Sequence, residues 1–383
     1  MFKKTKSNFV YIVVFCFSIF SILGCERIQQ VIEPIEIERE EISIGLVLPL
    51  TGRLGSTFGE PIYNALQLAK DEINENPENN FTINFIIMDD MATADGAITA
   101  YNKFIEDGLS VILGPVTSSA AKEVFPIAQM NKVVAISSTS AARGLSALGD
   151  YVFRIALTTD VLVPNGVDAI LTKYNFSKVA TLYDKSDVFS VDSEKALLEV
   201  FNQKGIEVVA TETFQANDED FSEQLTRIEM EQPDVVFVSS LPPEKASILK
   251  QSRDLGITAR FVLRTLTEAD VEAAGEAAEG TITFTGWGTA VDNPLNQEFV
   301  KNYHEKYGTL PNNYSARSYV ALYVLAEALA NASTKDAMSI RDALANITGL
   351  ETIVGKFSFN QDGDAVYDPQ VLIVKDGSLV LFE

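Results

Sequence analysis

Apolar positions along this chain switch repeatedly between two periods. Residues 42–50 form a short apolar run of strand type, whereas Ile62, Leu66, Ala69 and Ile73 recur at helical spacing and share one face. Further strand-like runs are predicted at 81–88, 110–114 and 133–137, with helical stretches near 93–107 and 118–130 between them. Strands separated by helices of this length imply parallel βαβ units covered on both faces. The rhythm repeats after about residue 158, with strands at 178–184, 207–210, 234–240 and 260–264. A helix near 192–204 closes on Lys204-Gly205, a favourable C-cap. The supersecondary pattern thus occurs twice without a sequence repeat, which predicts an α/β protein of two doubly wound, Rossmann-like lobes. After residues 281–286 come helical segments near 294–307, 315–331 and 335–346, then strand-like runs at 355–360, 370–375 and 378–382. The turn at Gln361-Asp362-Gly363-Asp364 has the look of a calcium loop. It lacks the downstream Glu such a loop requires, and reads as a hairpin turn.

The first residues follow a different rule. Lys3, Lys4 and Lys6 precede an apolar stretch over 9–23, shorter than the roughly 20 residues a membrane-spanning helix needs. The stretch ends in Ile22-Leu23-Gly24-Cys25, which resembles the bacterial lipobox, where cleavage before the cysteine leaves a lipid-bearing thiol. Residues 1–24 are therefore expected to be a lipoprotein signal peptide, with lipidation at Cys25. The acidic stretch 25–41 would then be a solvated tether. An ordinary signal peptide or membrane anchor with a chance cysteine is the alternative.

Charge and chemistry narrow the function further. With 30 Lys and Arg against 53 Asp and Glu, the net charge of −23 repels phosphate backbones and argues against nucleic-acid binding. The same charge serves solubility, with a cationic ligand as the alternative reading. Both cysteines, Cys16 and Cys25, lie at the start, and His304 is the only histidine. Beyond Cys25 there is no cysteine for a disulfide, a metal site or a thiol nucleophile, a His-based zinc site or Ser-His-Asp triad has almost no raw material, and no cofactor is expected. Asp89-Asp90 and Asp184-Lys185 put charged pairs at strand ends, without an activated nucleophile or phosphate loop beside them. The sequence does not read as an enzyme.

Several local marks fall in a recognisable order. They are Leu50-Thr51-Gly52 with Phe58-Gly59, then Met88-Asp89-Asp90, then Ile112-Leu113-Gly114-Pro115-Val116-Thr117-Ser118-Ser119 and Ala135-Ile136-Ser137-Ser138-Thr139-Ser140. Ala274-Gly275-Glu276-Ala277-Ala278-Glu279-Gly280 and Gly355-Lys356-Phe357 with Asp362-Gly363-Asp364 complete the set. Over 42–383 the chain resembles the leucine/isoleucine/valine-binding protein family, the type I solute-binding proteins of ABC importers. The resemblance implies a venus-flytrap fold with hinge crossings near 154–156, 285–287 and 356–357. Lobe one would be 42–155 with 287–356, and lobe two 156–286 with 357–383. It also implies an extracytoplasmic location, an ABC permease as partner and a small ligand bound at the carboxyl ends of the strands. A ligand-sensing or cell-envelope regulatory lipoprotein of the same fold is the alternative.

Candidate binding residues follow from both readings. Gly114 ends a buried strand and Thr117-Ser118-Ser119 open a helix, whose free amides suit an anion. Ser118 either caps this helix or, as the resemblance implies, grips the ligand's carboxylate together with Val116 and Thr117. The resemblance places Thr139, Ser140 and Ala141 in the loop that offers groups to an amino-acid head, with Ala141 replacing the family's usual threonine. It also puts Thr265, beside Arg264, where amino-acid binders carry an acid. An ammonium group there would lose its ion partner unless Asp270 or Glu268 substitutes. Phe58, Phe189 (after Val188) and Leu241 (before Pro242) stand at aromatic positions of the pocket, either as a drier wall or as plain core. Arg264 pairs with an acidic ligand or is solvated on a surface loop. Branched-chain amino acids are the family default. A carboxylate, amide or aromatic acid without an ammonium is an equal expectation.

Overall fold

A computed structural model describes residues 39–383, so the expected signal peptide, Cys25 and nearly all of the expected tether lie outside the described residues. Within them no helix is long and apolar enough to cross a membrane. The first half of the chain alternates β1 (Glu40–Leu48), α1 (Glu60–Glu75), β2 (Phe81–Asp89), α2 (Ala94–Glu106), β3 (Val111–Leu113), α3 (Ser118–Asn131), β4 (Val134–Ser137) and β5 (Val152–Arg154). These strands form a parallel sheet in the order β2-β1-β3-β4-β5. Ile44, Leu46, Val47 and Leu48 of β1 are all buried, so the strand reads as a continuous apolar run because both of its faces are covered.

The chain then crosses to α4 (Thr159–Lys173), β6 (Lys178–Asp184), α5 (Val188–Lys204), β7 (Glu207–Phe214), α6 (Ser222–Met230), β8 (Val235–Ser239), α7 (Glu244–Asp254), β9 (Arg260–Arg264), α8 (Glu268–Ala274) and β10 (Ile282–Thr285). It returns through α9 (Pro294–Tyr307), α10 (Asn313–Asn331) and α11 (Ala337–Ala345), followed by β11 (Leu350–Thr352), β12 (Gly355–Phe359) and β13 (Ala365–Val366). The last strands, β14 (Gln370–Lys375) and β15 (Ser378–Leu381), complete the second sheet, whose order is β15-β14-β10-β9-β8-β6-β7. β14 pairs antiparallel with β10, and β15 pairs antiparallel with β14 because the short hairpin between them can supply no crossover helix.

The apolar face foreseen on α1 packs against α10, with Ile62, Ala65, Leu66, Ala69 and Ile73 buried. Each large aliphatic buried in this way contributes about 1.5–3 kcal/mol. Tyrosines rivet the returning helices to α1: Tyr307 donates to the Asn64 carbonyl at 2.8 Å, and Tyr323 to Glu72 at 2.7 Å. The helices after β10 therefore belong with the first sheet, although residues 155–293 separate them in the chain.

Passages between the sheets fall after β5, after β10 and between β13 and β14. The last lies about ten residues beyond 356–357, because residues 350–366 build a small sheet of their own, β11-β12-β13. The turn after β12 docks on the edge of the first sheet. Arg154 donates its main-chain N–H to the Gly363 carbonyl at 2.9 Å, and its fully buried guanidinium holds Asp364 at 2.7 and 2.6 Å. Ser146 Oγ donates to the same carboxylate at 2.6 Å. The aspartate of the loop with a calcium-like look is thus the counter-ion of a core arginine.

Asp364→Ala would leave the Arg154 charge buried without a partner, and should cost about 3–5 kcal/mol in urea unfolding; a loss below about 1 kcal/mol would show the pair to be dispensable. In the second lobe Glu194 on α5 is buried and accepts a hydrogen bond from Thr181 Oγ1 at 2.8 Å, yet burial pushes its carboxyl up to about 7 from 4.5. The folded state keeps this proton between those two values while the unfolded chain releases it, so stability falls as pH rises through that window and levels off above it. Glu194→Gln should flatten that part of the urea-midpoint profile between about pH 5 and 8, and an unchanged slope would count against the assignment.

Candidate functional site

The carboxyl ends of β3 and β4 face those of β8 and β9, and a cleft lies between them. It encloses about 380 Å³ free of protein atoms, counted out to its mouth. From the first lobe come Phe58, Val116, Thr117, Ser118, Thr139 and Ala141; from the second come Leu162, Phe189, Leu241, Arg264 and Thr265; α10 adds Tyr314 and Arg317.

Each wall has a local cause. Gly114 leaves β3 at φ +116°, and a Cβ there would sit 2.2 Å from the Val47 carbonyl oxygen, so only glycine lets the chain turn into the cleft. Thr117 then caps α3, its Oγ1 accepting from the Ala120 N–H at 3.2 Å. The cap is therefore Thr117, and Ser118 is the first helical residue. Ser118 Oγ accepts instead from the N–H groups of Ala141 and Ala142, both at 3.2 Å, which ties the helix start to the loop after β4. The main-chain N–H groups of Ser118 and Ser119 have no acceptor among the described residues, as expected of a first helical turn.

Thr139 donates to the Val116 carbonyl and faces the cleft. Ser140 does not line it: the residue is buried behind the wall, its N–H donating to Ser137 Oγ at 3.2 Å. Thr139 and Ala141 thus present themselves to the cleft, while Ser140 is held behind them. Ala141 offers only its methyl group, because its N–H goes to Ser118 and its carbonyl accepts from Thr159. The methyl group packs with Ala156, Phe189 and Leu241 in a small apolar cluster of its own.

Arg264 is not on a surface loop. It ends β9, is only 1% exposed, and lies between the Phe189 and Phe284 rings at 4.9 and 5.2 Å. Burial pushes its pKa down to about 9, which keeps it cationic at neutral pH. Its Nη1 donates to Ser193 Oγ at 2.8 Å, while Nε and Nη2 have no partner among the described residues. Arg317, also buried, donates to the Asn313 carbonyl and to its Oδ1 at 3.0 and 2.9 Å. Among the described residues no carboxylate lines the cleft. Asp270 is consumed by the capping box of α8, accepting from Thr267 N–H and Oγ1, with Lys245 at 3.8 Å. Glu268 is half-buried and away from the lining, so neither acid reaches the cleft beside Thr265.

Tyr314, Arg317 and Leu162 escaped the sequence reading. The pattern placed the start of α10 at 315, but Asn312 caps it earlier by accepting from Tyr314 and Ser315 N–H. Tyr314 thereby stacks on Phe58 with centroids 3.9 Å apart, and Arg317 follows one turn later. An Asn followed three residues on by Ser was the available signal.

The lobes are closed on one another. Arg53 donates to the Pro242 carbonyl at 2.6 Å, Ser119 Oγ to Asp187 at 3.2 Å, and Arg143 reaches Asp192 and Glu199 at 2.8 and 2.7 Å. A cleft at the strand ends of two facing α/β lobes is the geometry of a solute trap, and the profile of the periplasmic binding proteins matches residues 41–378. The chain belongs to the periplasmic binding protein family. Periplasmic binding proteins are extracytoplasmic solute carriers rather than enzymes. A Leu/Ile/Val-binding protein of Rhizobium johnstonii is 28% identical over 331 residues, covering 85% of this chain and 89% of the relative. A branched-chain amino acid transporter substrate-binding protein of Streptococcus pneumoniae, solved with isoleucine, has TM-score 0.82 and 26% identity, covering 89% and 98%. An ABC-transporter solute-binding protein of Rhodopseudomonas palustris, solved with 3,4-dihydroxybenzoic acid, has TM-score 0.81 and 25% identity, covering 89% and 96%.

Ser118→Ala in this periplasmic binding protein would strand two buried amides, at a cost of about 1–3 kcal/mol in urea unfolding. Stability within about 0.5 kcal/mol of wild type would show that Ser118 does not hold the loop.

Proposed function

We propose that this protein is the receptor of an ABC importer, held outside the cytoplasm by lipid on Cys25, and that it captures a small carboxylate without an ammonium group. The observation that carries the reading is the charge of the cleft: two buried guanidiniums line it and no acid does. A zwitterionic amino acid would bring an ammonium group into this surrounding and lose its hydration without a counter-charge, a cost that a simple acid avoids. One carboxylate end fits the free amides at the start of α3, supported by Val116, Thr117, Ser118 and Thr139. Phe58, Tyr314, Phe189, Leu162 and Leu241 supply an apolar box for the body of the ligand, and Ala141 and Thr265 widen it. The closed arrangement of the lobes, bridged by Arg53, Arg143 and Ser119, is the form an importer would recognise.

Calorimetry on the purified full-length protein tests this with benzoate, hexanoate and their dicarboxylate counterparts against L-leucine. The acids should bind at least about ten-fold more tightly than leucine, a difference of about 1.4 kcal/mol. Leucine binding tighter than every acid would overturn the reading.

A further inference from the structure

We infer that the ligand is a dianion, with a second acid group that docks on Arg264 and Arg317 opposite the α3 end of the cleft. This rests on the carboxylate-binding reading above and goes beyond it. The side-on edge of a guanidinium is formed by Nε and Nη2, and in Arg264 those are the two nitrogens without a partner, while Nη1 is occupied by Ser193. That edge matches the two oxygens of a carboxylate, each accepting one hydrogen bond. The group is fully buried and lines the cleft, so bulk water does not satisfy it in the closed form.

Its charge is equally unbalanced. Burial lowers the pKa of Arg264 most; Asp192 opposes that shift and Arg317 adds to it by a smaller amount, so two like charges share one end of the cleft. Arg317 bonds only to the neutral oxygens of Asn313. The surrounding acids are engaged elsewhere. Asp192 binds Arg143, Asp187 accepts from Ser119 and Ser190, and Asp270 holds Thr267 beside Lys245. Together with the positive end of α3, worth about half an elementary charge, the cleft presents more than two positive charges and no negative one. A single carboxylate at α3 leaves the Arg264 edge empty. A dianion whose acid groups flank a short apolar or aromatic body fills both ends and the box between them.

The test compares matched acids on the full-length protein by calorimetry: terephthalate with benzoate, and adipate with hexanoate. At least one diacid should bind about ten-fold or more tightly than its monoacid. In Arg264→Gln that ratio should fall to about three-fold or less, while Arg264→Lys, which keeps the charge and loses the fork, should fall between. Equal affinities within both pairs would overturn the dianion while leaving the monocarboxylate reading intact. A failure of all four acids alongside tight leucine binding would overturn both, since an acid such as Asp187 or Asp270 would then have to reach the ammonium group. The comparison on wild type decides the matter even if the Arg264 variants do not fold.

Discussion

Parallel strands have to be covered on both faces, so the only surface a doubly wound lobe leaves uncovered at its sheet is the row of strand ends. Two such lobes set with their carboxyl ends facing make a cleft whose chemistry is confined to the residues just past each strand. That constraint explains why the lining residues come in short clusters: Val116 to Ser118 after β3, Thr139 and Ala141 after β4, Leu241 after β8, and Arg264 to Thr265 at the end of β9. The tight exit at Gly114, where no side chain fits against Val47, belongs to the same economy of space. Only Phe58, Leu162, Phe189 and the α10 pair come from helix starts or the long loop after β1.

Electrostatics within this frame run against the molecule as a whole. The chain carries a net charge of −23, yet its cleft holds two buried guanidiniums and the positive end of a helix, with no acid in the lining. Nearby acids are kept out by hydrogen bonds that use both of their oxygens or one oxygen twice, as in Asp187 and Asp270. The core shows the opposite solution in Arg154, whose charge is met directly by Asp364 from a turn more than 200 residues away. One buried arginine is therefore a clasp, and two others remain open to what enters the cleft.

The βαβ rhythm, the two lobes and the helix start at α3 were legible because each is written in short-range spacing. Most of the lining was legible as well, through the motif around Thr117 and Ser118 and the loop at Thr139. Ser140 was misplaced because direction within a loop depends on which neighbour its amide meets, here Ser137 Oγ. Arg264 was open to two readings because an arginine after a strand looks the same whether it meets water or two phenylalanine rings. Arg317 and Tyr314 were missed since nothing local brings the start of α10 to Phe58, which lies more than 250 residues earlier.

By itself the sequence determined the fold class and which reactive side chains are available, with His304 the only histidine and both cysteines within the first 25 residues, because those depend on periodicity and on which atoms are present at all. Tertiary structure alone decided which charges lost their solvent and which found partners. Burial and pairing are properties of segments distant in the chain, and the same guanidinium is a stabilising clasp, a solvated surface group or a ligand anchor according to what the fold places against it.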